Sequence, residues 1–542
     1  MSVTTLTRRT SMGLGLGALA ALGGTTIVHA DGTKTLRARI TNDIQILDPA
    51  FLLTGSEGLV DALVFNGLVN LKAGDTIEWQ MDVAESVEQI DPTHIAFKLR
   101  PGVSWTNGFG MMSAEDVDFD TLDLTNLTNL TNGFGTMSAE DVKFSFERIA
   151  DPATGSPYAG DWELLDHVEV VDELSGIIVM KEPAAPLWYT TLPWGSGMIM
   201  CKAAVEALPE KKFTTEPPAT SGPYVIKEWV PKQRLTMALN DLWTGPKPTF
   251  DRIEILVISD DQVAELAFNA SELDVTSVPI TSIPLLRATP TADTTLVVKP
   301  SINYYWIGMN VDHPTFQDIR VRQAIQYAVD VDAILLGAFS GVVERATGIV
   351  APSLVGHRPA NLITHDIEKA KALLAEAGVP DGFACKLSVE NLAVSLSVGQ
   401  IIQASLAEIG IQVEVEALDE GAFWGMADHA DQLRDLQMTY KNYINTPDAS
   451  WATVWFLPDQ IDVWNWERFN SQEFAELHGK ALRELDVDKR AAMYVRMQDI
   501  MEESGAYIFV THGANTALYR NAFKPAFTPS LLSWNLKEWT EA

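Results

Sequence analysis

Aromatic side chains are the residues of this sequence best suited to binding chemistry. Trp numbers 15 in 542 residues, and aromatics concentrate in residues 188–194, 304–306, 423–424 and 440–466. Trp and Tyr pair an apolar face with a polar tip, so on turn-rich segments they line clefts, although core packing is the alternative for any one of them. The pattern predicts a cleft that holds a molecule through ring contacts and hydrogen bonds.

Catalytic and metal-binding patterns are missing. Gly-x-Ser-x-Gly, a phosphate-binding loop, His-Glu-x-x-His and Cys-x-x-Cys do not occur in the sequence. Acidic neighbours such as Asp260 and Asp261 diverge on a helix or a strand, which makes them poor candidates for a paired acid and base. His357 and His365 are the closest histidine pair, and their spacing favours solvated or capping roles over a metal site. We therefore predict no enzyme activity and no cofactor.

The charge balance limits the partners. The chain has 39 Lys and Arg against 72 Asp and Glu, a formal charge of −33, which argues against nucleic-acid binding because a basic face is needed to neutralise phosphates. An acidic surface keeps a protein soluble and favours a monomer. Cys201 and Cys385 are the two cysteines, and both a disulfide and two buried free thiols remain open.

The N-terminus has the features of an export signal. Residues 1–30 contain no acid, and Arg8-Arg9 precede a Gly-diluted apolar run at residues 13–24. Val28-His29-Ala30 follows, with small residues at the two positions of a signal-peptidase cleavage site. The Arg pair resembles a twin-arginine signal, although Ser11 stands where that signal usually has Phe, so ordinary secretion stays open. We expect a periplasmic, soluble protein without a lipid anchor, because no Cys lies near the cleavage site.

A tandem duplication interrupts the first third of the chain. Residues 106–119 recur at 131–144 with 12 of 14 positions identical, and a threefold Leu-Thr-Asn lies between the copies. The second copy leads into an amphipathic helix with Ser138 as N-cap and Asp141 at the third helical position. Only one copy can occupy the native position, so residues 107–131 are expected to form a surface excursion.

The elements that must position the aromatic segments alternate between helix and strand in the second half of the chain. Asp318 and Asp366 each precede a helical apolar pattern, and residues 411–416 alternate as a half-exposed strand does. Helices are predicted at 471–485 and 488–504. The first half is richer in strands, with predicted strands at 34–40, 95–99, 168–171, 177–180, 235–239 and 253–258. These patterns indicate an α/β protein.

Several motifs resemble one protein family. Residues 97–108 (FKLRPGVSWTNG), followed after the excursion by residues 137–145 (MSAEDVKFS), are similar to the signature of family 5 extracellular solute-binding proteins, the peptide- and nickel-binding components of ABC importers. Further matches occur in the family's order, at residues 47–49, 221–224, 240–245, 310, 318–324 and 370–378. The resemblance covers nearly all of the mature chain.

The resemblance implies an α/β, two-lobed periplasmic binding protein (type II, cluster C-like) with an extra inserted subdomain and a discontinuous first lobe. The first lobe is expected to comprise residues 31–70, 215–300 and 511–542. Residues 71–214 would form the inserted subdomain, and residues 301–510 the second lobe. Lobes of this kind close on a ligand, and an ABC permease in the membrane then recognises the closed form.

The resemblance also bears on the ligand. Peptide binders of the family carry an Asp on a second-lobe loop that pairs with the peptide α-amino group, whereas Asn442 or Asn445 stands there in this chain, unless Asp448 is that acid. A peptide or peptide-like molecule is expected, with an oligosaccharide, a glycoside or an opine-like solute as the alternative. A secreted hydrolase and a nickel or haem carrier are rival hypotheses from other classes.

Ten residues are predicted to contact the ligand. They share a polar or aromatic side chain on a segment that the resemblance places beside the cleft. They are Thr54, Ser56, Trp194, Tyr305, Ser395, Phe423, Trp424, Asn442, Tyr443 and Trp451.

Overall fold

The computed structural model describes residues 33–52, 54–107 and 134–542. The predicted export signal (1–30) and, apart from Asn107, the predicted excursion (107–131) therefore lie outside the described residues. None of the helices in the described part of the chain is long and apolar enough to span a membrane.

Two sheets form what we call the first lobe. The four-stranded sheet has the order Thr35–Ile40, Arg252–Val257, Arg234–Leu239, Tyr224–Val230, and its first two strands run parallel. Alternate residues of these strands, such as Leu36, Ala38 and Ile253, are fully buried. The three-stranded sheet places Ala514–Arg520 between Val275–Thr276 and Thr294–Pro300. Both sheets therefore combine strands that are far apart in the sequence.

An antiparallel sheet forms the core of what we call the inserted subdomain. Its order is Ala84–Asp91, His94–Leu99, Ser175–Met180, Leu165–Val170. The helix Ala139–Ala150 packs on it through Val142, Phe146 and Ile149. The predicted N-cap is confirmed: Ser138 and Asp141 form a reciprocal capping box at the start of this helix.

A mixed five-stranded sheet forms what we call the second lobe. The order is Gln412–Leu418, Ala384–Glu390, Met438–Tyr443, Tyr304–Met309, Tyr507–Thr511. The first three strands are parallel and the last two antiparallel to their neighbours. Short two-stranded pairs complete the described strands: Asn66–Gly67 with Met198–Ile199, Thr106–Asn107 with Ala219–Thr220, Val69–Leu71 with Trp79–Met81, and Phe523–Lys524 with Thr540–Glu541.

The helices cover the faces of these sheets. Asp318 and Asp366 cap their helices as predicted, since each carboxylate accepts a hydrogen bond from a backbone N–H of the first turn. The α-helices are Gly55–Val64, Ala139–Ala150, Lys202–Glu206, Asp261–Asn269, Ile283–Ala288, Ile319–Ala328, Val331–Phe339, Ile367–Glu376, Ala393–Ala407, Glu420–Gly425, Ala430–Asp435, Ala449–Val454, Gln472–Ala481 and Val487–Glu503.

The two cysteines are free and buried in different parts of the molecule, so the free-thiol alternative is the one the structure shows. Burial raises the pKa of both Cys201 and Cys385 to about 12, which keeps both thiols protonated at neutral pH.

Candidate functional site

Two short crossovers connect the first lobe to the second. Residues 301–303 lead from Thr294–Pro300 to Tyr304–Met309, and His512-Gly513 leads back from Tyr507–Thr511 to Ala514–Arg520. The strands on either side belong to different sheets, so the chain passes between the two lobes within a few residues at each crossover.

A hydrogen-bond network links the crossovers. The ring Nδ1 of His512 contacts the backbone oxygen of Asn303 at 2.7 Å, and the side-chain oxygen of Asn303 accepts from the backbone N–H of Asn445 at 3.2 Å. Burial lowers the pKa of His512 to about 4, so the ring is uncharged at neutral pH and Nδ1–H donates to the carbonyl. Gly513 has a φ of +68°, a conformation that favours glycine at this return turn.

A polar cleft of about 460 Å³ lies beside the crossovers. Its lining comes from both lobes, and most of the side chains are Ser, Thr or Asn. The lining residues are Arg39, Ile40, Thr41, Asn42, Gly55, Ser56, Leu59, Ser277, Ser301, Ile302, Asn303, Ile444, Asn445, Asn515, Thr516, Leu531, Leu532, Ser533 and Trp534. Hydroxyl and amide groups both donate and accept hydrogen bonds, so the cleft suits a polar solute.

A second compartment of about 260 Å³ lies beside the cleft, lined by the first lobe and the inserted subdomain. The two compartments share Gly55, Leu59, Leu532 and Ser533. We call this compartment the inner cavity. It is lined by Leu52, Thr54, Gly55, Gly58, Leu59, Asp61, Ala62, Gly67, Val69, Asn70, Leu71, Asp82, Tyr158, Pro193, Trp194, Gly195, Met198, Thr528, Leu532, Ser533, Asn535 and Lys537.

Residues of the helix Gly55–Val64 line both compartments. Thr54 is its N-cap, and the Glu57 carboxylate closes the capping box by accepting the Thr54 N–H at 2.9 Å. The Ser56 hydroxyl accepts the Asn42 N–H at 3.2 Å. The structure places Thr54 on the inner cavity and Ser56 on the cleft, while Trp194 lines the inner cavity from the inserted subdomain.

Tyr305 and Asn442 lie directly opposite each other on neighbouring strands of the second lobe. Their side chains share one face of the sheet, where the Tyr305 ring stacks on Tyr440 with centroids 6.3 Å apart. Tyr443 is one residue along and points to the other face, where its hydroxyl donates to the backbone oxygen of Trp464 at 2.6 Å. Asn442 and Tyr443 therefore face opposite sides of the sheet.

The remaining predicted residues are dispersed over the second lobe. Phe423 is fully buried, and Trp424 packs against it and donates its indole N–H to Glu390 at 2.8 Å. Ser395 is buried in the first turn of Ala393–Ala407, and Trp451 is 42% exposed. None of these four residues lines the cleft or the inner cavity in the described structure. Their contact with a ligand stays a prediction.

Asp448 is an internal residue. Both of its oxygens accept from Arg490, at 2.6 and 2.7 Å, and the pair is almost completely buried. Burial acts to raise the pKa of Asp448, but the adjacent Arg490 charge and its hydrogen bonds outweigh that effect and hold the pKa below its ordinary value. The carboxylate is therefore already neutralised within the protein.

Lys441 and Glu467 form a second buried ion pair, 3.4 Å apart, that the sequence analysis did not find. The ammonium lies 3.9 Å from the centroid of the Trp466 ring, and Trp306 donates its indole N–H to the same Glu467 oxygen at 3.0 Å. Burial lowers the pKa of Lys441 to about 8, against the opposing effect of Glu467. Much of the second lobe's aromatic content thus surrounds internal charges.

Asp61 is a residue next to the inner cavity that the sequence analysis did not single out. The sequence contains a pattern that could have indicated its burial. The i, i+3, i+4, i+7 spacing of one helix face is present at Glu57, Val60, Asp61 and Val64, and the structure buries all four. Two acids on a core-facing stripe are unusual, because an unpaired buried carboxylate is costly. Glu57 accepts backbone N–H groups of Gln45 and Ile46. Neither oxygen of the Asp61 side chain has a hydrogen-bond partner, and Asp61 is fully buried next to the inner cavity.

No cluster of three or more His, Cys, Asp or Glu side chains within the described ranges could hold a metal ion.

Comparisons with known proteins agree with this architecture. The sequence profile described as "Bacterial extracellular solute-binding proteins, family 5 Middle" matches residues 78–462. The dipeptide-binding protein of Escherichia coli K12 is 25% identical over 472 residues, covering 83% of each chain. The glutathione-binding protein GsiB of the same strain is 26% identical over 372 residues, covering 67% of this chain and 72% of its own length. The structure of HbpA2 from Haemophilus parasuis superposes with a TM-score of 0.77 at 22% identity, covering 94% of this chain and 99% of that one.

Proposed function

The chain belongs to the bacterial extracellular solute-binding proteins of family 5, and from this premise we propose that it captures a peptide or peptide-like molecule between its lobes. The predicted family and the predicted two-lobed α/β fold are confirmed by the profile match and the structural superposition. Relatives named for dipeptide and glutathione binding support the ligand class. Both relatives are binding proteins, which supports a role without catalysis.

The observation that carries this proposal is the polar cleft beside the two crossovers. Ser56 and Asn42 line it from the first lobe, and Asn445 and Ile444 line it from the second. A ligand that contacts both walls binds the closed arrangement better than the open one, so it shifts the population towards closure. Closure of this kind gives a membrane permease a shape to recognise, and no bond needs to be made or broken.

The organisation of the mature protein is part of the proposal. The lobes would divide the chain as 31–70, 215–300 and 511–542 for the first and 301–510 for the second, with 71–214 inserted. The sheets support this division, because strands from the first three ranges pair among themselves. We propose an exported, monomeric protein that delivers its ligand to the permease of an ABC importer.

Ligand titration and a closure measurement together test the proposal. Free dipeptides and tripeptides, glutathione, an oligosaccharide and an opine would be titrated by calorimetry into purified protein. Lys227 and Lys371 are exposed and lie in different lobes, so a K227C/K371C variant labelled with a dye pair reports the interlobe distance. The native thiols are buried, so they compete little for the dyes.

We expect peptides to bind and to shorten the labelled distance. A matched pair with both labels in the second lobe, K371C/K386C, should show no change, because Lys386 is exposed on the same lobe. Binding of the oligosaccharide or the opine alone would replace the peptide proposal. Binding without any distance change would contradict closure.

A further inference from the structure

One loop of the first lobe lines both compartments and also contacts the second lobe. The loop Thr528–Ser533 supplies Leu532 and Ser533 to the walls of the polar cleft and of the inner cavity. The Ser530 hydroxyl of the same loop lies 2.8 Å from the hydroxyl of Ser353, which belongs to the second lobe. The loop is therefore in contact with the second lobe and with the space in which a solute can bind.

The backbone of this loop has a conformation that most residues avoid. Ser530 and Leu531 are consecutive residues with φ of +53° and +55°, in the left-handed region that favours glycine. The ends of the loop are joined, because the Ser533 N–H donates to the Thr528 hydroxyl at 2.7 Å and the Thr528 N–H donates to the Ser533 carbonyl at 3.1 Å. Asn515 donates its side-chain N–H to the Ser530 carbonyl at 2.8 Å. A strained segment that its surroundings hold in place is typical of switch regions and ligand clamps.

The inserted subdomain supports the same contact from a third side. The Ile77 N–H donates to the Ser353 carbonyl at 3.3 Å. The Gly74 N–H donates to the carbonyl of Phe527, the residue before the loop, at 3.0 Å. The Ile77 side chain is buried in one apolar cluster with Leu354 of the second lobe. All three parts of the molecule therefore meet at Ser353 and the neighbouring loop.

We propose that the loop Thr528–Ser533 couples solute binding to the position of the second lobe through the Ser530–Ser353 hydrogen bond. The inference rests on the proposed function, because it needs a solute between the lobes. A solute that touches Leu532 or Ser533 restrains the loop, and the restrained loop holds the second lobe at Ser353. In return, the contact with the second lobe holds the loop in the shape that the solute meets, since coupling between two contacts is reciprocal.

Ser353 and Ser530 act as positioning residues in this coupling. Neither is among the residues that line the two compartments in the described structure, so neither hydroxyl contacts a solute held there. Their replacement by Ala removes one hydrogen bond between the lobes and leaves the walls of both compartments unchanged. An effect of these replacements on solute binding must therefore pass through the loop.

The test is a double-mutant cycle on the two hydroxyls, made in the K227C/K371C background. S353A, S530A and S353A/S530A are compared with the matched control S86A, because Ser86 is a half-buried strand residue of the inserted subdomain. Each protein is titrated with alanyl-alanine and with glutathione. We expect each single variant to bind about fivefold more weakly than the parent, and the double variant to bind no more weakly than either single one. S86A should match the parent. Unchanged affinity in both single variants, or additive losses in the double variant, would overturn the inference.

A distance measurement without solute separates this inference from the proposed function. S353A and S530A should each widen the distribution of dye-to-dye distances by the same amount, and S86A should leave it unchanged. If no peptide binds the parent protein, the proposed function fails, while the distance distribution still decides whether the two hydroxyls position the second lobe. The same distribution in the parent, S353A and S530A would refute that role.

Discussion

Two buried aspartates, one in each lobe, differ in whether the fold supplies a partner for the carboxylate. In the second lobe, Asp448 is held by two hydrogen bonds from Arg490, and the charges cancel inside the protein. In the first lobe, Asp61 is equally buried but has neither a cation nor a hydrogen-bond donor. The comparison teaches that burial alone does not mark a structural acid. What separates the two residues is whether the fold supplies a hydrogen-bond donor or a cation for the carboxylate.

Lys441 and Glu467 form another buried ion pair in the second lobe. The Trp306 indole N–H donates to Glu467, and the Trp466 ring lies against the Lys441 ammonium. Both side chains of the pair are buried away from the cleft. The second lobe thus contains charges that support its own architecture. The first lobe has such a pair as well, since Arg148 of the inserted subdomain donates to both oxygens of Asp48, but its Asp61 has none.

The largest expected effect comes from removing the acid that has a partner. D448N leaves Arg490 buried without its counter-charge, so the free energy of unfolding should fall by about 3–5 kcal/mol, measured by urea denaturation. D448L/R490M removes both charges and should be less destabilising than the single change. A single variant as stable as wild type would show that the Asp448 pair does not hold the lobe together.

The next largest effect is expected for the Lys441–Glu467 pair, whose contribution to the free energy of unfolding should depend on pH. The pKa of Lys441 is lowered from 10.5 to about 8, so between these values the unfolded chain binds more protons than the folded one. The contribution of Lys441 to the free energy of unfolding therefore rises between pH 8 and pH 10.5 and is lost as the pH falls through that range. The stability of wild type relative to K441M should increase by on the order of 2 kcal/mol from pH 8 to pH 10.5. A difference independent of pH would contradict the shifted pKa.

Replacing Asp61, the acid without a partner, should raise the free energy of unfolding at neutral pH, whereas replacing Asp448 should lower it. Because its pKa is raised, Asp61 contributes most favourably below its ordinary value of 3.8, and that contribution is lost as pH rises through the raised value. At neutral pH, D61N should therefore be more stable than wild type by about 1–3 kcal/mol in the absence of ligand, and equally stable near pH 3. Thermal unfolding at both pH values measures this, and a destabilised D61N at neutral pH would assign Asp61 a structural role.

The smallest effect is expected from a deletion that touches neither aspartate. Removing residues 108–132 takes out one 25-residue period and leaves one full copy of the repeated motif. The segments on either side of the deletion are hydrogen-bonded to each other. The Trp105 N–H donates to the Gly135 carbonyl at 2.9 Å, and the Met137 N–H donates to the Val103 carbonyl at 2.7 Å. The free energy of unfolding and ligand affinity should stay within about 0.5 kcal/mol of wild type. A large loss of Tm would show that the deleted residues contribute to the core.

Local sequence patterns predicted much of the fold. The caps at Ser138, Asp318 and Asp366 were found because capping depends on residues within one turn. The strand predicted at 411–416 is present as Gln412–Leu418, since strict alternation is typical of one exposed face. Both kinds of signal are local, and both are independent of how the chain crosses between sheets.

The candidate site was less predictable because it depends on which face a side chain takes. Asn442 and Tyr443 are neighbours in sequence, but one faces the side of Tyr305 and the other an enclosed aromatic core. The aromatic character of Tyr443 alone does not show whether its side chain lies in the core or on a cleft wall. Asp61 was missed for a related reason: its lack of a partner depends on the positions of Arg148 and Lys537, which come from distant segments.

The crossing of the chain has a consequence for how the protein is made. The strand Ala514–Arg520 is the middle strand of a first-lobe sheet, and the entire second-lobe sheet is synthesised between its partner Thr294–Pro300 and itself. Until Ala514–Arg520 emerges, both partner strands expose unpaired backbone edges. A chain that ends after the second lobe would therefore leave this first-lobe sheet without its middle strand.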